Sequence, residues 1–130
     1  GGGTNHRFGL FDGILIKDNH IRVAGGITQA IERVRKNHPG SHDIEVETGN
    51  LDQVQEALMA GADVIMLDNM NSVEINEAVK LIAKRAKIEV SGSINLERAG
   101  ELSGCGIDTI SAGALTHSAP AADISMNIPF

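Results

Sequence analysis

Residues that can bind or activate ligands recur in this sequence where short apolar runs end. The run ends read Lys17-Asp18-Asn19-His20, Glu47-Thr48, Asp68-Asn69, Ser91-Gly92-Ser93 and Ser111-Ala112-Gly113. Carboxylates bind hard cations, lysine attracts anions, and small residues let a phosphate approach backbone N–H groups. If the runs are strands of one parallel sheet, these groups meet at one edge and favour a phosphate-bearing anionic ligand.

Two segments rich in serine and glycine form the candidate phosphate site. Ser91-Gly92-Ser93 and Ser111-Ala112-Gly113 follow the last two apolar runs. In many α/β barrels the loops after the last strands bind phosphate through backbone N–H groups and a helix N-terminus. The alternative is ordinary turn chemistry, because serine and glycine are common in turns. Two such segments at adjacent strand ends favour phosphate binding.

A pair of carboxylates, Glu47 and Asp68, ends two neighbouring runs. Mg²⁺ usually binds one or two carboxylates together with phosphate oxygens and water, so the pair is a candidate metal site. Two structural alternatives remain open: Asp68 caps a turn with Asn69, or Glu47 pairs with Lys17. Near the start of the chain, His6, Arg7 and Lys17 supply positive charge, which suits a small anionic ligand.

The elements that must position these residues alternate between strands and helices. Strands are predicted at residues 13–16, 43–47, 63–67, 88–91 and 109–111, which are short, rich in Ile and Val, and bounded by glycine or polar clusters. Helices are predicted at 27–38, 51–60 and 73–85, and from Asn95 to Gly104. Asn50, Asn71 and Asn95 are predicted N-caps. Repeated βα units predict a parallel α/β sheet.

Successive side chains along a strand face opposite sides of the sheet, and this alternation, here called side-chain parity, indicates which kind of parallel sheet this is. Ile44 and Val46 share one face of a predicted strand, whereas Glu45 and Glu47 share the other. An open doubly wound sheet buries both faces, so its strands are apolar throughout. A polar face instead suggests a TIM-like barrel interior that opens into a site; edge strands with a solvated face are the alternative. Because an eight-stranded barrel needs about 250 residues, the sequence predicts an incomplete barrel with about five βα units.

Composition excludes several functional classes. The net charge is −6, and the sequence lacks Trp and Tyr, so a nucleic-acid partner is not expected. The sequence contains no apolar run of about 20 residues, which predicts no membrane span. With Cys105 as its one cysteine, it has no internal disulfide, which fits a reducing compartment; we expect the protein to be cytoplasmic.

Six spaced segments together carry a family resemblance. The sequence resembles quinolinate phosphoribosyltransferase, in its carboxyl-terminal barrel portion, and the intervals between the segments agree as well. Related nicotinate phosphoribosyltransferases and a homologue associated with molybdenum transport are the competing families. The matching segments are GGGTNHR from Gly1, LIKDNHI from Leu15, EVE from Glu45, IMLDNM from Ile65, EVSGS from Glu89 and ISAGALT from Ile110.

The resemblance implies a pentosyltransferase reaction. Quinolinate and phosphoribosyl pyrophosphate would give nicotinate mononucleotide, pyrophosphate and CO₂, with Mg²⁺, in NAD biosynthesis. It implies that His6, Arg7 and Lys17 bind the quinolinate carboxylates and phosphoribosyl pyrophosphate. Glu47 and Asp68 would contact the ribose and the Mg²⁺–pyrophosphate, and with Lys17 they are the implied catalytic residues. The implied 5′-phosphate cradle consists of Ser91, Gly92, Ser93, Gly113, Ala114 and Leu115.

The resemblance also implies what lies outside these 130 residues. Members of the family have an amino-terminal domain that covers the barrel mouth of a dimer partner, and a Thr-Arg-Lys segment that contacts substrate. We therefore expect residues 1–130 to form part of the catalytic domain of a homodimer or higher homo-oligomer, without those elements and the first barrel strands. We expect no detectable turnover from this chain alone. A phosphate-binding module without turnover, or one piece of a split enzyme, are the alternatives.

Overall fold

The computed structural model describes residues 2–40 and 43–129. Over these residues the chain forms five strands and six helices. The strands are β1 (Ile14–Ile16), β2 (Ile44–Thr48), β3 (Val64–Asp68), β4 (Lys87–Ser91) and β5 (Thr109–Ile110). The helices are α1 (Asp18–Ala24), α2 (Ile27–Asn37), α3 (Leu51–Met59), α4 (Ser72–Ile82), α5 (Leu96–Leu102) and α6 (Ala114–His117). Gly1, which opens the first segment of the family resemblance, lies outside the described residues.

The strands form one parallel sheet in the order β1-β2-β3-β4-β5. Parallel crossovers are almost always right-handed, so a consecutive order places successive helices on the same side of the sheet. A doubly wound sheet differs because its strand order reverses at a switch point. The parallel α/β prediction is confirmed, and β1 and β5 are the edge strands of the described sheet.

The hydrophobic core lies between the sheet and the helices. Along β2, Ile44, Val46 and Thr48 are at most 1% exposed, whereas Glu45 and Glu47 are intermediate. The parity prediction therefore holds on this strand. On β3 the same polar face carries Met66, because Met66 pairs in register with Glu47 on one side and Glu89 on the other. The helices complete the core with apolar side chains that are nearly all buried, including Ile27, Ile31, Val54, Ala57, Ile75 and Ala78.

Asparagine caps begin three of the helices, as predicted. The Asn50 side chain accepts a hydrogen bond from the Gln53 N–H at 3.0 Å, and that of Asn95 accepts one from the Arg98 N–H at 2.8 Å. Asn71 and Glu74 form a reciprocal capping box at the start of α4. In α3 the box is displaced, because Gln53 Oε1 accepts from the Gly49 N–H instead of the Asn50 N–H.

The structure corrects several predicted boundaries and adds two helices. The predicted helix 73–85 ends at Ile82, because Ala83 and Lys84 adopt left-handed backbone with φ of +49° and +63°. Strand β5 ends at Ile110 rather than residue 111. Helices α1 and α6 were not predicted. Four residues are too few to display a helical repeat in α6, and α1 begins after Lys17, which is not a typical N-cap residue, whereas the equally short α5 begins after Asn95. Over the described residues no helix is long and apolar enough to cross a membrane.

Candidate functional site

The carboxyl ends of three strands are joined side by side by backbone hydrogen bonds. The Asn69 N–H, just after β3, donates to Ser91 O at the end of β4 at 3.0 Å. The Ser111 N–H, just after β5, donates to Val90 O at 3.0 Å. The parallel register therefore brings the Asp68-Asn69 turn and the two Ser/Gly segments to one edge of the sheet, as the sequence predicts.

Glu47 and Asp68 line one cleft of about 350 Å³ at this edge. Strands β2 and β3 are direct neighbours, and the register pairs Glu47 with Met66, two residues before Asp68 on the same face. Helix α1 forms another wall of the cleft with Asp18 and Arg22, and Gln53 comes from α3. The predicted carboxylate pair is thus brought together, and Asp18 joins it as a third carboxylate.

The electrostatics of the cleft show that these carboxylates interact. Burial raises the pKa of Glu47 above its usual value, and the neighbouring negative charge of Asp68 raises this pKa further. The charge of Lys17 opposes the shift. Among the described residues Glu47 makes no ion pair with Lys17, so the structural pairing considered from the sequence is not formed. The other alternative holds in part, because Asn69 Nδ2 donates to Asp68 Oδ2 at 2.9 Å.

The donor set of the cleft consists of hard oxygen atoms. Mg²⁺ and Ca²⁺ prefer carboxylate oxygens, whereas zinc and softer metals favour histidine and cysteine. Glu47 and Asp68, with Asp18 beside them, therefore fit Mg²⁺. Burial disfavours the ionised form of Glu47 most, and the like charges of Asp68 and Asp18 disfavour it further, so its pKa is raised.

The loop after β4 is packed tightly against the loop after β3. Gly92 adopts φ of +92°, and a Cβ atom placed on it would lie 2.8 Å from the backbone nitrogen of Asn69. Ser93 and Asn69 also have left-handed backbone, each with φ of +53°. Glycine is therefore required here by both conformation and space. Asn69 links this loop to the cleft, because its side chain bonds to Asp68.

A second cleft of about 460 Å³ borders the same loop and includes Gly92, Ser93, Asn69 and Arg98 in its lining. Arg98 is held in place by hydrogen bonds to Ser72 Oγ, to Met70 O at 3.2 Å and to Glu101 at 2.8 Å. Arg98 belongs to none of the motifs in the sequence, although its position three residues after the cap Asn95 places it in the first turn of α5.

The loop after β5 is more open than the loop after β4. Gly113 precedes α6, and a Cβ atom there would meet only the His117 ring, at 3.1 Å from Nε2. Ala114 and Leu115 form the first turn of α6, and Leu115 is 82% exposed. The predicted cradle residues therefore lie at two adjacent strand ends, one rigidly packed and one exposed.

The three predicted cations occupy different positions. Lys17 is exposed and immediately follows β1, and its backbone N–H donates to His20 Nδ1 at 3.0 Å. Arg7 is half-buried, and its Nη1 donates to Gly13 O at 3.3 Å. His6 lies across the polar face of the sheet, where its Nε2 is 3.1 Å from Glu45 Oε2 and 3.4 Å from Glu89 Oε1. None of the three is in the lining of the cleft that contains Glu47 and Asp68.

Glu45 and Glu89 were not identified as site residues from the sequence. Glu89 is held by Ser111 Oγ and, at 3.4 Å, by Thr109 Oγ1. Burial raises the pKa of Glu45, as does the charge of Glu89, whereas His6 lowers it. The alternation of side chains along the strands contained a signal for both residues, since each carboxylate lies between two apolar residues, Glu45 between Ile44 and Val46 and Glu89 between Ile88 and Val90.

Comparison with known proteins identifies the family. A model of the protein family described as the C-terminal domain of quinolinate phosphoribosyl transferase matches residues 1–127. The probable nicotinate-nucleotide pyrophosphorylase [carboxylating] of Bacillus subtilis is 47% identical over 128 residues, covering 98% of this chain and 44% of that protein. The chloroplastic nicotinate-nucleotide pyrophosphorylase [carboxylating] of Arabidopsis thaliana is 43% identical over 146 residues, covering 98% of this chain and 42% of that protein.

Solved structures agree with these relatives in sequence and in fold. NadC from Streptococcus pyogenes superposes with a TM-score of 0.88 at 46% identity, covering 97% of this chain and 44% of that chain. The nicotinate-nucleotide pyrophosphorylase from Francisella tularensis gives a TM-score of 0.84 at 44% identity, covering 88% and 41%. The chain thus spans less than half the length of these relatives. It belongs to the quinolinate phosphoribosyl transferase family and corresponds to the C-terminal domain of that family.

Proposed function

We propose that this chain provides catalytic residues for quinolinate phosphoribosyltransferase, the decarboxylating pentosyltransferase of NAD biosynthesis. The enzyme would convert quinolinate and phosphoribosyl pyrophosphate into nicotinate mononucleotide, pyrophosphate and CO₂. The observation that carries the proposal is that, in a chain matching this family over residues 1–127, Glu47 and Asp68 line one cleft at the sheet edge that carries two Ser/Gly loops. That arrangement suits a substrate with a ribose, a phosphate and a pyrophosphate.

The carboxylates would act on the ribose. Cleavage of the bond between the anomeric carbon and pyrophosphate builds positive charge on that carbon, and fixed negative charges nearby stabilise it. Glu47 and Asp68 supply such charges at the cleft. Mg²⁺ bound by the same two side chains would neutralise the departing pyrophosphate. Lys17 adds a cation beside Glu47 that suits the same anionic group.

The remaining predicted residues would bind and orient the substrates. Residues 91–93 and 113–115 would hold the 5′-phosphate through backbone N–H groups at adjacent strand ends. His6 and Arg7 would bind the two carboxylates of quinolinate, so that its ring nitrogen faces the anomeric carbon. Once that nitrogen is alkylated and cationic, the bond from C2 to its carboxylate breaks. CO₂ then leaves, the electron pair remains on C2, and C2 takes up a proton.

The longer relatives support further proposals about the assembled enzyme. We infer that the five-stranded sheet forms part of a TIM-like barrel completed by other strands. We also infer a cytoplasmic homodimer in which one subunit's amino-terminal domain covers the barrel mouth of the other. These inferences rest on the family resemblance, since the matched relatives are more than twice as long as this chain.

The test is a product assay with the purified chain. Quinolinate, phosphoribosyl pyrophosphate and Mg²⁺ are supplied to the chain alone and to the chain supplemented with the amino-terminal portion of the Bacillus subtilis relative. Formation of nicotinate mononucleotide with equimolar CO₂ in either mixture supports the proposal. Product from nicotinate but not from quinolinate would identify a nicotinate-type enzyme instead. Binding of phosphoribosyl pyrophosphate without product under both conditions would favour a phosphate-binding module.

A further inference from the structure

A cluster of ionisable groups, in which two largely buried carboxylates meet a more exposed histidine, lies on the polar face of the sheet, apart from the cleft of Glu47 and Asp68. It consists of His6, Glu45 and Glu89, whose side chains are 32%, 12% and 9% exposed. Burying a carboxylate is costly unless it is paired and hydrogen-bonded. The carboxylates of Glu45 and Glu89 also repel each other, because one oxygen atom of each lies within 4.8 Å of the other. A structural role alone does not explain why both carboxylates, Glu45 and Glu89, lie in this cluster, because apolar residues of similar size stabilise a core at least as well.

The contacts of the cluster converge on one nitrogen atom. His6 Nε2 lies 3.1 Å from Glu45 Oε2 and 3.4 Å from Glu89 Oε1. Both neighbours are carboxylate oxygens that accept hydrogen bonds, so Nε2 carries the hydrogen. The two contacts favour the tautomer that carries hydrogen on Nε2 and restrict the rotation of the imidazole. Among the described residues His6 Nδ1 has no hydrogen-bond partner, so this side of the ring is left for a ligand.

The two carboxylates are held to different degrees by the rest of the protein. Glu89 is anchored from β5, because it accepts hydrogen bonds from Ser111 Oγ and Thr109 Oγ1. Glu45 relies on His6, since its Oε1 is buried without a hydrogen-bond partner among the described residues. Glu89 therefore contacts the ring nitrogen from β4, and Glu45 contacts it from β2. Together they hold a residue of the irregular amino-terminal segment against the sheet.

We propose that Glu45 and Glu89 are positioning residues that orient His6 so that, in the protonated ring, the Nδ1–H donates to a carboxylate of a pyridine dicarboxylate. This inference rests on the proposed function, which supplies the dicarboxylate as substrate. His6 lies between the buried acidic pair and the ligand, so it also covers negative charge that would otherwise repel a dianion. Glu45 and Glu89 do not touch substrate, and their effect passes through His6.

The kinetic test separates the two substrates. In an active preparation, Glu45→Gln is expected to raise KM for quinolinate about tenfold, because the charge-assisted bond that orients His6 is weakened. KM for phosphoribosyl pyrophosphate and the unfolding midpoint should stay unchanged. In the His6→Ala background the same substitution should change KM for quinolinate less than about twofold, since coupled residues are not additive. Glu77→Gln is the matched control, because it makes the same change at a carboxylate that is exposed on α4 and takes no part in the cluster.

An equal increase in both KM values, or the same tenfold increase in the His6→Ala background, would overturn the proposal.

A second measurement needs no turnover and so distinguishes this inference from the proposed function. NMR of the wild-type chain at a pH well above the usual imidazole pKa of about 6.5 should show a His6 ring N–H in slow exchange with water. The double variant E45M/E89M keeps side-chain volume and removes both acceptors, and it should lose that signal. E45Q, which keeps an acceptor, should retain it in part.

A wild-type chain without the protected ring proton, or a double variant that keeps it, would overturn the orientation of His6 whatever the activity. Absence of nicotinate mononucleotide with a protected ring proton would count against the proposed function alone. In that case calorimetric titration with quinolinate decides the remaining step. Binding weakened about tenfold by Glu45→Gln supports the proposal, whereas binding unaffected by it, or undetectable in the wild type, overturns it.

Discussion

Two regions on the same face of the sheet place carboxylates in different surroundings. Glu45 and Glu47 are two residues apart on β2, and burial is the first cause of a raised pKa in both. Glu45 lies within the cluster of His6 and Glu89, whereas Glu47 lines the cleft with Asp68. In the cluster the protein supplies a histidine partner. In the cleft, among the described residues, neither Glu47 nor Asp68 has a cationic side chain in ion-pair contact.

This difference indicates a division of labour along one strand. In the proposed function, Glu45, which contacts His6, orients that histidine, and Glu47, which has no ion-pair partner among the described residues, is the carboxylate available to metal or substrate. The boundary between these roles lies between adjacent positions of one face, where β2 approaches its carboxyl end. Glu45 and Glu47 are the same residue type, so what distinguishes them is their distance from the carboxyl-terminal edge of the sheet, which is greater for Glu45.

The largest expected effect comes from neutralising the cleft. Asp68→Asn and Glu47→Gln should each lower kcat roughly a hundredfold, because the loss of a fixed charge facing the transition state typically has that magnitude. The neutral isosteres keep the shape, so the unfolding midpoint should change little. Steady-state kinetics at saturating substrates measure the effect, and Glu77→Gln, exposed on α4, is the control. If Glu45→Gln lowers kcat as much as Asp68→Asn does, the proposed division between the two regions is wrong.

An intermediate effect is expected from the glycine that supports the cleft. Gly92→Ala should reduce the free energy of unfolding by about 1–3 kcal/mol, because its φ is +92° and the added Cβ would meet the Asn69 backbone. Gly113→Val should change stability within about 0.5 kcal/mol, since only the His117 ring is near. It should instead weaken binding of phosphoribosyl pyrophosphate. Denaturant unfolding and calorimetry measure both; equal loss of stability in the two variants would contradict the contrast between the loops.

The smallest expected effect is on the pH dependence of the free energy of unfolding. Because the pKa of Glu47 is raised in the folded state, its ionised form costs stability at neutral pH. This cost is relieved as the pH falls through the folded pKa, and relief is complete below the unfolded value of 4.5. Relative to Glu47→Gln, the wild type should therefore become more stable on acidification over that window. Unfolding in metal-free buffer measures this, and a difference that is constant with pH would show that Glu47 is not perturbed.

Much of the fold follows from local patterns in the sequence. The five strands, the helices α2 to α5 and the caps Asn50, Asn71 and Asn95 were predicted, because apolar periodicity and capping chemistry act within a few residues. The pairing of Glu47 with Asp68 followed from their positions at successive strand ends. The early end of α4 did not follow, since Ala83 and Lys84 are ordinary helix residues that adopt left-handed backbone here.

By itself, therefore, the sequence determined the parallel βα repeat, the polar face of β2 and the carboxylates at its carboxyl end. Each is a short-range property of residue type and spacing. Only the tertiary structure decided that His6 contacts Glu45 and Glu89, and that Asn69 packs against Gly92. Those contacts join elements distant in the chain, and their existence depends on strand register and on the path of the amino-terminal segment, which local residue patterns do not specify.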